Sequence, residues 1–239
     1  MSKTLSINTS LSPVYFEKYA DNESIVVVID VLRATSVIST AFHYGVKEII
    51  PVQTLDQALE FKAKENHIVA AERNAMLIEG FDFGNSPFHY MNKDIQDKTL
   101  VFTTTNGTKA LNMAINHQTI TASFVNFDAV ADYLINQQQN IILFCSGWKG
   151  YFNLEDSIFA GKLAEILLQK GFSTTDDSTL SSIYLHQKSD TDLFAFLNSS
   201  SHRNRLKTLN MEEDTKFCLQ PDFQSDIVPI LENKKLIKA

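Results

Sequence analysis

Continuous apolar runs alternate along the chain with segments in which apolar residues recur at helical spacing. Residues 24–31, SIVVVIDV, form an almost unbroken apolar run, which indicates a strand covered on both faces. Residues 34–45, ATSVISTAFHYG, follow with helical spacing and end at Gly45, and glycine is typical of the position just after a helix. This first pair of segments predicts a β-strand followed by an α-helix.

The same alternation continues as far as residue 171. Thr54 is a typical N-cap before the second helical segment. Further strands are predicted at 47–52, 67–72, 99–105, 119–123 and 140–147, and further helices at 54–64, 107–116, 126–138 and 154–171. Strands and helices in alternation predict a three-layer α/β/α fold with a mostly parallel or mixed sheet.

The pattern changes after residue 171. Residues 173–182 are polar, and two or three short helices are predicted between them and about Phe217. The segment 226–239, DIVPILENKKLIKA, predicts a final strand, a turn and a second short strand. We therefore expect a single α/β domain over residues 1–239 with a C-terminal helical segment and a final strand. Two intimately packed halves, at about 1–171 and 172–239, are the alternative.

Composition and charge limit the classes of partner that the protein is expected to bind. The chain has 239 residues, is 44% hydrophobic and carries a net charge of −7, so it lacks the basic surface that nucleic acid binding needs. It has neither an apolar stretch of membrane-spanning length nor the pattern of a signal peptide. Cys145 and Cys218 have no metal-ligand spacing. These features predict a cytoplasmic protein with two reduced thiols and no nucleic acid or membrane partner.

Polar residues are concentrated just after four of the predicted strands. Ligands bind at the carboxyl ends of the strands in open α/β sheets, so four polar strand ends predict one crevice. The four groups are Asp30, Arg33, Thr35 and Ser36; Glu72, Arg73 and Asn74, with Asn85 and Ser86 further on; Thr103 to Thr108; and Cys145 to Gly150, with Asp156 at the next helix start.

The third group ends the segment VFTTTNGTKAL, residues 101–111, where an apolar strand changes abruptly to donors and then to a helix. A helix N-terminus with neutral donors can hold an anion, and Gly107 would let a ligand approach the backbone closely. The alternative is that Thr105 or Asn106 only caps the helix. The GxxxxGK[ST] pattern of a P-loop is missing.

Two other groups suit a charged ligand. Asp30 could bind a metal, act as a nucleophile or cap the next helix. Arg33 opposes the helix dipole, which indicates that it faces an anion. An Asp30–Arg33 surface salt bridge is the alternative, but such a bridge contributes little, so we favour the functional interpretation. The segment ERNAMLIEGFDFGNSP, residues 72–87, offers carboxylate oxygens that suit Mg²⁺, or else forms a compact surface loop.

Several of these segments together resemble the 2-phosphosulfolactate phosphatase (ComB-like) family. The resemblance is carried, in order, by VVIDVLRATSVIST, ERN…IEGFDFGNSP, TTTNGTKAL, FCSGWKGYFNLEDSIFAG and SHRNRLKTLNMEEDTKFCLQPDFQSDIVPIL, between Ser24 and Leu231. It implies a Mg²⁺-dependent phosphatase that hydrolyses (2R)-phospho-3-sulfolactate to 3-sulfolactate and phosphate, a step of coenzyme M biosynthesis. The family pattern favours glycine where this chain has Ala75, a departure that bears on the local turn.

The polar groups and the resemblance together give an expected site for a small phosphorylated, sulfonated acid. The expected catalytic residues are Asp30, Arg33, Glu72 and Arg73. The expected Mg²⁺ ligands are Asp30, Glu72, Asp82 and Asp156. The expected substrate-binding residues are Thr35, Ser36, Asn85, Ser86, Thr105, Asn106, Gly107, Thr108, Gly147, Lys149 and Gly150.

Other phosphatase chemistries lack their motifs. Neither cysteine has arginine six residues later, since Tyr151 and Gln224 stand there, and Asp30 is followed by Val-Leu rather than by the second aspartate of a DxD motif. Metal-assisted attack by water is the simplest mechanism, and a phospho-Asp30 intermediate stays open. A non-catalytic binder of a small polyanion is the alternative function, and a homodimer is left open.

Overall fold

A computed structural model describes residues 4–189 and 191–239 of the chain. The strands are β1 (Ile7–Ser10), β2 (Ser24–Ile29), β3 (Glu48–Pro51), β4 (His67–Arg73), β5 (Met76–Leu77), β6 (Thr99–Thr103), β7 (Thr119–Ala122), β8 (Asn140–Cys145), β9 (Pro229–Glu232) and β10 (Lys235–Lys238). The α-helices are α1 (Phe16–Tyr19), α2 (Ala34–His43), α3 (Leu55–Leu59), α4 (Gly107–Met113), α5 (Phe127–Gln137), α6 (Leu154–Gln169), α7 (Asp177–Ser189), α8 (Leu193–Phe196), α9 (Ser201–Thr208) and α10 (Glu212–Leu219).

The ten strands form one mixed sheet in the order β1-β8-β2-β7-β9-β10-β3-β6-β4-β5. Two groups of parallel strands, β1-β8-β2-β7 and β3-β6-β4, lie on either side of the antiparallel hairpin β9-β10. The hairpin pairs with β7 on one side and with β3 on the other. The predicted α/β fold with a mixed sheet is therefore confirmed.

The two parallel groups run in opposite directions, because three successive antiparallel pairings separate them. In a flat sheet their carboxyl ends would lie at opposite edges. Five inter-strand steps separate β2 from β6, and at about 20–25° of twist per step the sheet turns by about 100–125° between them. A twist of this size turns the two sets of strand ends toward each other, and residues from both sets line one pocket, described below.

Both faces of the sheet are covered, as the apolar run in β2 predicts. All six residues of β2 are buried. Ile25, Val27 and Ile29 belong to the apolar core that contains α5 and α6, while Val26 and Val28 belong to the core on the other face, which contains α2 and α4. The two cores hold the loops that follow β2 and β8 in place. None of the helices in the described residues combines the length and apolar character that a bilayer crossing requires.

The elements that differ from the prediction are short or polar. Strand β1 has the sequence INTS, with one large apolar residue, so it carries no strand pattern of its own. Helix α3 ends at Leu59 rather than at residue 64, although Thr54 caps it as predicted, with Gln57 completing a capping box. After residue 171 the described residues, 172–189 and 191–239, form four α-helices rather than two or three, the first of which, α7, has 13 residues.

Candidate active site

A pocket lies where the chain leaves β2, β4 and β6, and its far wall comes from the loop after β8 and from α9. It brings together side chains from all four predicted polar groups. The predicted site residues that line it are Asp30, Arg33, Glu72, Asn85, Thr105, Asn106 and Lys149. The expectation that the four strand ends share one crevice is thereby confirmed, although they reach it from two oppositely directed strand groups.

Asp30 directly follows β2 and is almost completely buried in the pocket wall. Its Oδ1 accepts the N–H of Ala34 at 3.3 Å, and its own N–H donates to Oγ1 of Thr35 at 3.0 Å. Burial raises the pKa of Asp30 from 3.8 to about 6, Glu72 adds to this rise, and His202 and the Ala34 N–H oppose it. A pKa near 6 means that the carboxylate is costly to keep charged without a cation.

Glu72 is the residue before the last in β4 and faces the same pocket from the other strand group. Its carboxylate accepts the N–H of Ala75, and it also accepts the N–H and the hydroxyl of Thr105, each at 3.3 Å. Ala75 has a φ of 67°, in the left-handed region that glycine occupies without strain. The turn therefore has the conformation for which glycine is favoured. Ala75 adopts this strained conformation, in which its N–H donates to Glu72.

Arg33 pairs with Asp214 of α10 and not with Asp30. Its Nη2 also donates to the carbonyl of Ala75 at 3.3 Å, and Ser86 donates to the other oxygen of Asp214 at 3.0 Å. The surface salt bridge offered as an alternative for Arg33 is therefore wrong, because the guanidinium is buried and bridges three segments. Ser86 supports it from behind, away from the pocket.

Asn106 occupies the N-cap position of helix α4, but neither its side chain nor that of Thr105 caps the helix. The cap is a reciprocal pair in which the Thr108 N–H donates to Oγ1 of Thr104 at 3.1 Å and the Thr104 N–H donates to Oγ1 of Thr108 at 3.0 Å. Asn106 makes no side-chain cap bond, and its Oδ1 accepts the N–H of Lys149 at 3.1 Å. The capping alternative is thus wrong for both residues, and their side chains face Glu72 and the loop after β8.

Gly107 packs against Asp30 rather than opening toward a ligand. A Cβ at this position would lie 2.7 Å from Oδ2 of Asp30 and would also collide with Ala34. The residue is glycine because α4 begins in contact with the loop after β2. The group that lies close to Gly107 is therefore Asp30, and not the ligand that we expected there.

Asp156 is buried beneath the pocket and is held by four donors. Its Oδ1 accepts the N–H of Val31 at 2.9 Å, and its Oδ2 accepts from Ser146, Gly147 and Asn153 at 3.0–3.2 Å. Burial raises the pKa of Asp156 well above its usual value, with Asp30 and Glu155 adding to the effect. Asp156 therefore joins the loops after β2 and β8 and does not face the pocket.

Eight further predicted residues stand outside the pocket lining. Arg73 lines a neighbouring groove together with Thr108 and donates to Oγ1 of Thr103 at 3.0 Å. Asp82 is exposed and accepts the N–H of Val69 at 2.9 Å. The others act on backbone or on supporting side chains: Thr35, Ser36, Ser86, Gly147, Gly150 and Thr108. The pocket thus does not bring together the four carboxylates expected as metal ligands.

The far wall contributes residues outside the predicted set, namely Trp148, His202 and Arg205. The ring of His202 stacks on Trp148 at 6.0 Å, and the guanidinium of Arg205 lies 5.4 Å from the same ring. Arg203, next to His202, instead stacks on Phe194 in the protein interior. The basic segment SHRNR is the available signal, but its spacing alone does not show that His202 and Arg203 are buried while Arg205 is only partly buried.

Oxygen donors suitable for a cation face the pocket on one side. They are the carboxylates of Asp30 and Glu72 and the Oδ1 of Asn85, a buried atom that has no hydrogen-bond partner in the part of the chain that the structure describes. No cluster of three or more His, Cys, Asp or Glu side chains suited to a metal occurs in residues 4–189 and 191–239. This arrangement fits Mg²⁺, which is commonly bound by one or two carboxylates, with water and substrate phosphate completing the shell.

Replacement of Thr105 by valine should lower the catalytic efficiency, kcat/KM, by about 5- to 20-fold. The substitution removes one neutral donor to a charged carboxylate, worth about 1–2 kcal/mol, while the Thr105 N–H bond to Glu72 remains. Steady-state kinetics on Thr105→Val and on the control Thr105→Ser, which keeps the hydroxyl, would measure this. Equal activity of the two variants would show that the hydroxyl does not position Glu72.

The pocket combines buried carboxylates with Arg33 and Lys149 from loops after strands and with Arg205 from α9, an arrangement of the kind that phosphoryl-transfer enzymes use. A family model described as 2-phosphosulpholactate phosphatase matches residues 11–234. The chain therefore belongs to the 2-phosphosulpholactate phosphatase family, a family of phosphoric monoester hydrolases, and the resemblance seen in the sequence is confirmed.

Individual relatives agree with the family match. A protein of Caldanaerobacter subterraneus subsp. tengcongensis is 40% identical over 215 residues, which cover 88% of this chain and 89% of that protein. Proteins of Clostridium novyi and Thermotoga petrophila are 36% and 38% identical and cover 89% of this chain and 91% of their own lengths. All three bear the name "Probable 2-phosphosulfolactate phosphatase".

Proposed function

We propose that this chain is a Mg²⁺-dependent phosphatase that hydrolyses (2R)-phospho-3-sulfolactate to 3-sulfolactate and phosphate. The observation that carries the proposal is the placement of Asp30 and Glu72 in the same pocket as Arg33, Lys149 and Arg205. The names of the relatives support the choice of substrate.

The two carboxylates favour catalysis over simple binding. A protein that only captured a polyanion would gain nothing from acidic side chains beside the ligand, because they repel it. Burial raises the pKa of Asp30 to about 6, and the nearby Glu72 carboxylate adds to this rise. A cation bound between the two carboxylates and the phosphate would attract both of them. The acidic side chains would then hold the cation, and the basic side chains would bind the anionic substrate.

The cationic wall suits the rest of the substrate. Phosphosulfolactate carries a phosphate, a carboxylate and a sulfonate, so it needs several positive groups at different places. Arg33 is fixed by Asp214 and the Ala75 carbonyl at one side, and Arg205 and Lys149 flank the Trp148 ring at the other. We assign Arg33 to the phosphate and the Trp148 side to the carboxylate and sulfonate.

Mg²⁺, when bound, would offset phosphate charge and polarise the phosphoryl group. Asp30 and Glu72 would hold it, with Asn85 Oδ1 as a neutral donor. Thr105 and the Ala75 N–H orient Glu72, and Ala34 and Thr35 orient Asp30. The attacking water would approach phosphorus from the side of the pocket opposite the leaving ester oxygen, as in-line displacement requires.

Removal of divalent metal should lower phosphate release from phosphosulfolactate by about a hundredfold or more, because the metal supplies several kcal/mol of charge stabilisation. The measurement is phosphate release in EDTA, followed by titration back with Mg²⁺, which should restore the rate. Undiminished turnover in excess chelator would remove the metal from the proposal. Tight binding of phosphosulfolactate without any phosphate release would instead favour the non-catalytic binder.

A further inference from the structure

We propose that His202 is the general acid of the reaction and that Glu155 is its positioning residue. The proposal rests on the phosphatase function proposed above and adds the group that delivers a proton to the leaving oxygen. It arises from a buried histidine–carboxylate pair at the pocket, formed by residues 47 positions apart in the chain.

Glu155 fixes one side of the imidazole. His202 Nδ1 lies 2.6 Å from Oε1 of Glu155, and a carboxylate accepts from N–H groups, so Nδ1 carries a proton in this contact. Glu155 is completely buried in the first turn of α6, where the helix dipole favours a negative charge. Its Oε2 has no hydrogen-bond partner among the described residues, so His202 is the principal contact that accounts for this buried carboxylate.

Trp148 fixes the plane of the ring. The two rings are stacked at 18° with centroids 6.0 Å apart, and both residues line the pocket. With Nδ1 held by Glu155, Nε2 is the nitrogen left for the pocket, and no group in the described residues bonds it. Orientation by a carboxylate on one nitrogen and delivery of a proton from the other is the usual arrangement of a catalytic histidine.

The leaving group of this reaction needs a proton donor. The ester oxygen of phosphosulfolactate becomes an alkoxide, a strong base, unless it is protonated as its bond to phosphorus breaks. In the proposed step the P–O electron pair goes to the ester oxygen, which takes the proton from Nε2, while water adds to phosphorus. The products are the hydroxy acid, dihydrogen phosphate and neutral imidazole, and the phosphate or solvent then returns a proton to Nε2.

The other cations in the pocket are poorly suited to this step. Arginine does not give up its proton in proteins, which excludes Arg33 and Arg205. Lys149 is exposed on a loop and its ammonium lies beside the Trp148 ring. His202 is therefore the side chain of the wall that combines a transferable proton with a fixed orientation.

The decisive experiment compares substrates that differ in their leaving group. Phosphosulfolactate needs a protonated leaving oxygen, whereas acetyl phosphate and p-nitrophenyl phosphate release weakly basic groups and do not. His202→Asn places an amide near the Nδ1 position, so it can still donate to Glu155 but cannot deliver a proton. We expect kcat for phosphosulfolactate to fall by about 10²- to 10⁴-fold with KM nearly unchanged, and kcat for the activated esters to fall less than about tenfold.

A matched control exists on α7. His186 is also a buried histidine beside a glutamate, with Nε2 3.5 Å from Oε2 of Glu165, but it lies outside the pocket. His186→Asn should leave all three rates at the wild-type level. Glu155→Gln should show the same leaving-group selectivity as His202→Asn in weaker form, and thermal unfolding of each variant checks that the fold is kept.

The outcomes separate the two proposals. A wild-type protein that releases phosphate from none of the three esters contradicts the phosphatase function itself. An active wild type with an equal loss on all turned-over substrates in His202→Asn, or a rise in KM with unchanged kcat, assigns His202 to structure or to anion binding and overturns the general acid. If the wild type turns over only phosphosulfolactate, kcat and KM of His202→Asn decide. A fall in kcat with unchanged KM supports the general acid, and a rise in KM with unchanged kcat overturns it.

Discussion

Replacement of Asp30 by asparagine should lower kcat for phosphate release by about a thousandfold or more, which corresponds to about 4 kcal/mol. The change is nearly isosteric, and the amide oxygen can still accept the Ala34 N–H. It removes the charge that a Mg²⁺ ligand or a nucleophile needs. Steady-state kinetics with saturating Mg²⁺ would measure the effect, and Asp176→Asn, a substitution at a partly buried aspartate beside Thr9, serves as the control.

The same variant should be stabilised relative to the wild type at neutral pH. The pKa of Asp30 is about 6 in the folded state and 3.8 in its ordinary state, so between these values the folded protein binds more protons than the unfolded chain. The free energy of unfolding of the wild type therefore falls as the pH rises from about 4 to 6, by up to about 3 kcal/mol from this group. Asparagine does not titrate and removes that loss.

Urea unfolding in EDTA at pH 4 and at pH 7.5 would test this. We expect the stability difference between Asp30→Asn and wild type to grow in favour of the variant at the higher pH. A variant that keeps at least half of the wild-type kcat would make Asp30 structural. Isolation of a phosphorylated enzyme from the wild type, absent in the variant, would make Asp30 the nucleophile in place of water.

Replacement of Gly107 by alanine should lower both stability and activity. Alanine is about 1 kcal/mol better than glycine inside a helix, so without steric conflict the change would stabilise α4. Here the added Cβ would lie 2.7 Å from Oδ2 of Asp30 and would collide with Ala34. We expect a net loss of about 1–3 kcal/mol in the free energy of unfolding and, since Asp30 must move, a loss of about a hundredfold in kcat/KM.

Gly84→Ala is the matched control for Gly107→Ala. A Cβ at Gly84 would meet His89 at 3.4 Å and Leu77 at 3.5 Å, which are ordinary contacts. Its effect on the free energy of unfolding should stay within about 0.5 kcal/mol. If Gly107→Ala is as stable and as active as this control, α4 does not press on Asp30 and the geometry of that contact is wrong.

The strands that the sequence predicts best are those buried on both faces. The apolar run in β2 is visible without any partner, because every side chain in it enters one core or the other. Strand β1 is invisible for the opposite reason, since its polar side chains owe their strand conformation to pairing with β8, more than 130 residues away. Long-range pairing is the information that a local pattern lacks.

The residues of the candidate site also differ in how well the sequence predicts them. Asp30 and Glu72 are found because they lie at the ends of strands, Asp30 directly after β2 and Glu72 next to the last residue of β4, and strand ends converge. Asp156 is also an aspartate, in the first turn of the helix that follows β8, yet four donors turn it inward, and only the folded loops show this. His202 is not among the expected site residues, because its orientation depends on a contact with Glu155, which lies in a different segment of the chain.

The position of the hairpin β9-β10 at the centre of the sheet bears on how the protein is made. Until residues 229–238 have left the ribosome, β7 and β3 each keep one unpaired edge, and the two strand groups cannot join. A nascent chain of more than 220 residues would therefore carry two open strand edges, the feature that promotes aberrant association between chains. Translation that stalls just before the hairpin should yield an aggregation-prone product in which β2 and β6 belong to separate sheets.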